Sequence, residues 1–279
     1  MHETVHNTLF RPTNLNAAFL YLFDLIGANS YIWKRRHLHL HHNFPNVAGW
    51  DSDIEQASLF RIFPHDPHRS IHRHQPRLLF LLYPFYLANW LLVRDFKDFF
   101  SKQQVIRKIT RIPLPEYAKL FFFKGLFLTY ILGVPFMLGV PLLLAIGAFL
   151  LLLLTANAFA LFVLLTPHTN TQNAFPLPDA RHTLPQSWLL HQFSTTNDVS
   201  GSNWWYRHVM ANFNCHLAHH LFPRIPYVYA PEVTQVIREF ARQHQLPYRT
   251  YPLLQALRFH YQLICQNAVG AADFLEEDM

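Results

Sequence analysis

A chain of 279 residues that is 51% hydrophobic and only 14% charged is not an ordinary soluble domain, in which about a quarter of residues are charged. The formal charge of +6 with histidine neutral, set beside this apolar content, points to a cytoplasmic membrane face and away from nucleic acid. Two cysteines, Cys215 and Cys265, form no CxxC pair, which argues against a disulfide framework or a thiolate metal site.

The opening, MHETVHNTLFRP, lacks the apolar stretch of a signal peptide. It carries His2 and His6, four apart and so on one face of a helix. Leu15 to Ile32 is apolar but holds Asp24 and Asn29, and Leu78 to Val93 is only about 16 residues long with Pro84 near its middle. Both are short or polar for a crossing, so helices lying in the membrane interface are expected there. From Gly125 to Thr166 no residue is charged. That length suffices for two crossings of about 20 residues each, and Gly139-Val140-Pro141 marks the turn between them. A hairpin at about 120–140 and 141–166 is therefore expected to be the chain's only crossing. Lys34, Arg35, Arg36, Arg61, Arg69, Arg73 and Arg77 precede it, Arg181, Arg207, Arg224, Arg238 and Arg242 follow it, and its turn has no cation. The positive-inside rule puts both flanks in the cytoplasm. The acidic tail DFLEEDM reads as a frayed end.

Histidines recur in three clusters: HETVH, then HLHLHH from His37 to His42, then HLAHH with His216, His219 and His220. On a helix His37 and His41 share a face, as His216 does with both His219 and His220, whereas His39 points to the opposite side and is left out of the ligand set. The neighbours 41/42 and 219/220 diverge by about 100°, so adjacent rings reach two metals better than they crowd one. Eight imidazoles suit iron, copper, nickel or zinc and not magnesium or calcium. Two crossings between the second and third clusters return them to one side of the membrane, a condition that a third span at 78–93 would break. The carboxylate-bridged di-iron bundle needs two Glu-x-x-His motifs, but only Glu3 to His6 matches, and no HExxH zinc motif is present.

Three histidine boxes around membrane helices resemble the membrane fatty acid desaturase family. The likeness extends through SYIWKRRHLHLHHNFPNVAGWDSDIEQ, FRIFPHDPHRSIHRHQ, RDFKDF, PHTNTQNAFPLPD, LLHQFSTTNDVS and NFNCHLAHHLFPRIPYVYAPEV. These stretches are similar to acyl-CoA desaturases of the linoleoyl-CoA or front-end type. The resemblance implies an all-α integral membrane protein: one domain over 1–279, a transmembrane helical hairpin, interfacial helices and a cytoplasmic histidine-rich cap. It implies two iron ions held by His2, His6, His37, His41, His42, His216, His219 and His220, with His191 of LLHQFSTT as one further ligand. His168 in TPHTN matches a recurring histidine of the subfamily, for which an outer or structural role is expected. Asp51, Asp53 and Asp198 are candidates to orient metal-bound rings; the alternative is pairing with Lys34 to Arg36 or with surface arginines.

The implied reaction removes two hydrogens from an acyl chain, presented as acyl-CoA or acyl lipid within membrane lipid, using O2. The sequence has no His-Pro-Gly-Gly haem motif, so the electrons are expected from a separate donor such as ferredoxin or a b-type cytochrome. The Lys34–Arg36 run suits a positive-inside anchor or an anionic acyl-carrier headgroup. Histidine boxes alone do not separate a desaturase from a hydroxylase or ketolase; the DxDI, HQxxTT and LFP contexts favour the desaturase. The family also has a membrane hairpin before its first box, whereas here that box starts at residue 2. A chain without the hairpin, holding iron poorly or inactive, is the remaining alternative.

Overall fold

The uncharged run folds as a helical hairpin. The computed structural model describes residues 1–54, 59–181 and 183–270; the tail 273–279 and Glu55 and Gln56 of the second-box stretch lie outside them. In chain order the helices are α1 (His2–Val5), α2 (Thr13–Leu25), α3 (Ser30–Arg36), α4 (Ser70–Phe100), α5 (Ile106–Ile109), α6 (Leu114–Met137) and α7 (Leu142–Leu164). Then come α8 (Trp188–Thr195), strand β1 (Asp198–Ser200), α9 (Trp205–Val209), α10 (His216–Leu221), α11 (Ala230–Gln243), strand β2 (Thr250–Pro252) and α12 (Leu253–Gln266). The class is mainly α, as expected, with one small addition: β1 and β2 pair in parallel, Asp198 opposite Thr250.

Helices α6 and α7 meet at a turn in which Gly139 has φ +87°, a value that favours glycine. Pro141 heads α7, where a missing N–H costs nothing. With 24 and 23 residues they are about 36 and 35 Å long, against about 30 Å of bilayer hydrocarbon. Leu143, Leu144 and Leu151 of α7 stand exposed, an arrangement suited to lipid and not to water.

The apolar stretch 15–32 forms two helices, because the chain turns after α2 at Gly27 (φ +87°) and restarts at Ser30. A Cβ on Gly27 would lie 2.7 Å from the Phe127 ring, so the close approach also requires glycine. The apolar 78–93 segment is longer than its composition suggests: α4 runs 31 residues and passes the length and hydropathy of a spanning helix, as α6 and α7 do. Polar residues at both ends extend the helix beyond its apolar core.

The chain divides into two units, residues 1–38 with 82–160 and residues 39–81 with 161–279. In the first, Ala145, Phe149, Leu153 and Asn157 form the buried stripe of α7. Phe149 and Leu153 pack with Ala28, Leu91 and Phe127. Asn157 accepts from the Leu87 N–H at 3.0 Å and donates to the Tyr83 carbonyl. These are the two groups that an unbroken α-turn would pair, so the amide bridges the break beside Pro84. Two buried ion pairs cross this unit. Lys124 meets Asp95 at 2.7 Å and also donates to the carbonyls of Gly27 and Leu91. Arg36 meets Asp98 at 2.6 Å. Asp95 accepts from the Asn29 N–H, and the Asn29 side chain caps α3 through the Ile32 N–H, each at 2.9 Å.

In the second unit α8, α10 and α11 enclose Phe193, Cys215, Leu217, Ala218, Ile237 and Ala241. The start of α4 is tied to α12 by Gln75 donating to the Ile264 carbonyl, and the loop before α4 to the end of α12 by Asn267 donating to the Ile62 carbonyl, both at 2.7 Å. His65 and His68 reach the carbonyls of Phe175 and Ala268. That histidine-rich loop therefore spends two of its rings on structural ties.

Candidate metal centre

The helix that starts as α3 widens into a π-helical turn at His37–His41, a rare conformation concentrated at functional sites. The turn leaves His37, His41 and the following His42 buried and His39 exposed, as the face argument requires. Helix α10 is short, but it sets His216 and His220 one turn apart, both buried. His168 comes from the irregular stretch after α7.

These elements bring four rings of the second unit together. His41, His168, His216 and His220 each offer one nitrogen within 4.8 Å of the others. His168 Nε2 stands 2.8 Å from His216 Nε2 and 3.0 Å from His220 Nε2. The far sides of three rings are tied to acceptors. His41 Nδ1 donates to Asp51 Oδ1 at 3.0 Å, His168 Nδ1 to the Thr195 carbonyl at 3.1 Å, and His220 Nδ1 to Gln192 Oε1 at 3.0 Å. A neutral imidazole has one N–H and one lone pair, so each of these rings turns an Nε2 lone pair toward the cluster. Burial first, then neighbouring His41, pushes His168 down to about 3, and burial drives His220 well below its ordinary value. Protons therefore do not hold these lone pairs together at neutral pH.

His42 turns away from His41 toward the third cluster: its ring lies 4.7 Å from that of His219 and stacks on His220 at 4.6 Å. In the first unit His2, His6 and His37 also converge, with donor nitrogens within 4.8 Å of one another and His2 Nε2 3.0 Å from His37 Nε2. The His37 ring stacks on Trp33, and Trp33 on Phe23.

A profile of the fatty acid desaturase family matches residues 1–252. The chain belongs to the fatty acid desaturase family. It is 25% identical over 256 residues to an sn-1 linoleoyl-lipid 6-desaturase of Synechocystis sp., an alignment that covers 91% of this chain and 71% of that protein. It is 28% identical over 258 residues to an acyl-lipid (8-3)-desaturase of Physcomitrium patens, covering 90% and 52%. An sn-1 linoleoyl-lipid 6-desaturase of Arthrospira platensis is 28% identical over 228 residues, covering 82% and 62%. The chain thus spans about half to seven-tenths of the length of these relatives. No solved structure matches it.

The donor set of this desaturase chain fits a transition metal. His168 and His220, each with its Nδ1 proton given to an acceptor, set two Nε2 lone pairs 3.0 Å apart, and these repel unless a cation lies between them. Two nitrogens about 2.1 Å from one metal and at right angles are about 3 Å apart. Nitrogen-only donors are the chemistry of iron, copper or zinc.

Other residues singled out from the sequence fall in different places. Asp51 is buried; it takes His41 on Oδ1 and the Asn46 N–H on Oδ2 at 2.9 Å. Asp53 donates its backbone N–H to Asp51 Oδ1 at 3.2 Å. Asp198 supports α10 through the Leu217 N–H at 2.8 Å and takes the Tyr248 hydroxyl at 2.6 Å; burial pushes it up to about 6. His191 is buried on α8, outside both converging groups found among the described residues, with the Pro45 backbone beside its ring. Burial pushes it down to about 4. His168, expected in an outer role, stands instead among the converging nitrogens.

Sequence reasoning missed Gln192, the Thr195 carbonyl and Asn46. The Asn46 amide donates to the carbonyls of His168 and Ala174, both at 3.0 Å. Gln192 and Thr195 stood in the quoted HQFSTT stretch, but nothing in their residue types announced which rings they would hold.

Proposed function

We propose that this chain is an iron-dependent desaturase that introduces a double bond into the acyl chain of a membrane lipid, using O2 and two electrons from a separate donor. The observation that carries this reading is the convergence of His41, His168, His216 and His220, with three of the rings locked so that Nε2 faces inward. Family membership supports the reaction class. The lipid form of the substrate rests on relatives named as linoleoyl-lipid and acyl-lipid desaturases.

Two irons would be held by His2, His6, His37, His41, His42, His191, His216, His219 and His220, with His168 added as a tenth donor. Iron there would supply O2 activation and abstraction of hydrogen from an unactivated methylene. Asp51 keeps His41 in the tautomer that ligates, and Thr195 does the same for His168. Asp198 fixes the first turn of α10 and with it the third box. Burial of His41, His168, His216 and His220 keeps water from the reacting centre.

The site is read as cytoplasmic. His41 shares its unit and its cluster with His168, His216 and His220. The chain between residues 42 and 168 therefore crosses the membrane an even number of times. Helices α6 and α7 supply two crossings, so α4 is read as lying along the membrane although it is long enough to cross. The flanking lysines and arginines give the side.

Metal analysis tests the proposal. Purified chain should carry close to two irons, and His41→Ala or His219→Ala should abolish O2-dependent turnover. Stoichiometric zinc, with no turnover after reconstitution with iron, would contradict it.

A further inference from the structure

Gln192 sits on α8 next to His191, fully buried. Its amide makes two contacts: Nε2 donates to the His42 carbonyl at 3.1 Å, and Oε1 lies 3.0 Å from His220 Nδ1. The orientation of the amide is dictated by the first contact. A carbonyl oxygen only accepts, so the NH2 end must face His42. The oxygen end then faces His220, and His220 Nδ1 must carry the proton. An amide oxygen only accepts, so this contact leaves the ring one tautomer. The His220 lone pair is left on Nε2, 3.0 Å from His168 Nε2.

We propose that Gln192 is a positioning residue that fixes the His220 tautomer from the backbone of the second histidine cluster, so that folding of the HLHLHH segment prepares a donor of the HLAHH segment. This rests on the metal reading above. Of the three locked rings, His41 has a carboxylate partner and His168 a backbone carbonyl. His220 alone has a neutral side-chain partner whose direction is set from elsewhere. The same helix supplies the Thr195 carbonyl to His168, so α8 orients two of the converging rings.

The test is Co(II) binding to the full-length chain in detergent, with Gln192→Leu and Gln192→Glu compared with wild type. Leucine removes both contacts. Glutamate keeps an acceptor for His220 but loses the obligatory donor to His42. Loss of an outer partner of a metal-bound histidine weakens metal about 10–100-fold. We expect a loss of that order for Gln192→Leu, with the Co(II) visible spectrum altered and far-ultraviolet circular dichroism unchanged. Gln192→Glu should stay within a few-fold of wild type and keep the wild-type spectrum. Equal loss in both variants would overturn the proposal, because it would make Gln192 a clamp on the His42 backbone and nothing more. Wild-type affinity in Gln192→Leu would overturn it too. Failure of the wild-type chain itself to take up Co(II) would overturn the metal reading as well, a result distinct from either of the others.

Discussion

Nδ1 of His41 lies 3.0 Å from Oδ1 of Asp51, and both side chains are almost wholly buried. A carboxylate at that distance fixes the ring orientation and raises the basicity of the opposite nitrogen. The same oxygen also receives the backbone N–H groups of Asp53 at 3.2 Å and Ile54 at 3.4 Å, so the carboxylate is itself held.

Asp51→Asn should therefore weaken metal about 10–100-fold, by removing the charge while leaving the shape. Equilibrium titration of the purified chain with Fe(II) or Co(II) would measure this. Unchanged affinity would make Asp51 a loop-closing residue only.

His168 and His39 should separate cleanly. His168 has its Nε2 at 2.8 and 3.0 Å from two other rings, whereas His39 is exposed. Replacing His168 with alanine should lower iron content and abolish turnover; His39→Ala should retain most of both. Similar losses in the two variants would contradict the arrangement of the site.

The contrast shows what the sequence carried. Helical spacing placed His37, His41, His216 and His220 inside and His39 outside, because periodicity reports the face of a helix. His168 follows α7 in an irregular stretch, where no period exists to reveal a direction. The hairpin turn was legible because glycine and proline punctuate a long apolar run. The extent of α4 was not, since a helix can continue through residues whose composition resembles a loop. The bend at Gly27 had a signal in the glycine itself, but its cause, the Phe127 ring 100 residues further along the chain, is a tertiary contact beyond any local window.

Topology follows from the shared cluster. In a background without Cys215 and Cys265, cysteines introduced at Arg69 and Ser101, just outside the two ends of α4, should label from the same, cytoplasmic side. One introduced at Gly139 should label from the opposite side. Opposite labelling of positions 69 and 101 would show that α4 crosses, and would break the argument that joins the second and third boxes.

Acid should destabilise the metal-free chain through its buried neutral histidines. Burial lowers His260 from 6.5 to about 4, against a bond to the Thr169 carbonyl at 2.6 Å. Its folded pKa lies below the unfolded one, so between about pH 6.5 and 4 the unfolded chain binds the extra proton. Stability is then full above about 6.5 and falls as pH drops through this window, by up to about 1.4 kcal/mol per pH unit from this group. Asp198, raised to about 6, acts in the opposite sense between about 6 and 3.8, so the informative quantity is a difference between variants. His260→Gln should show a shallower loss of melting temperature from pH 6.5 to 4 than wild type. Parallel curves would remove His260 from the acid response.

The most direct measurement of the central claim is the mass of the fatty acids made by a host that expresses the chain together with an electron donor. A desaturase should give a new acyl species in the membrane lipids, lighter than its precursor by two hydrogens, that depends on O2 and is missing when His41 or His220 is alanine. A product heavier by one oxygen would assign the same centre to a hydroxylase. An unchanged lipid profile, from a chain shown to contain iron and supplied with reductant, would contradict the desaturase reading.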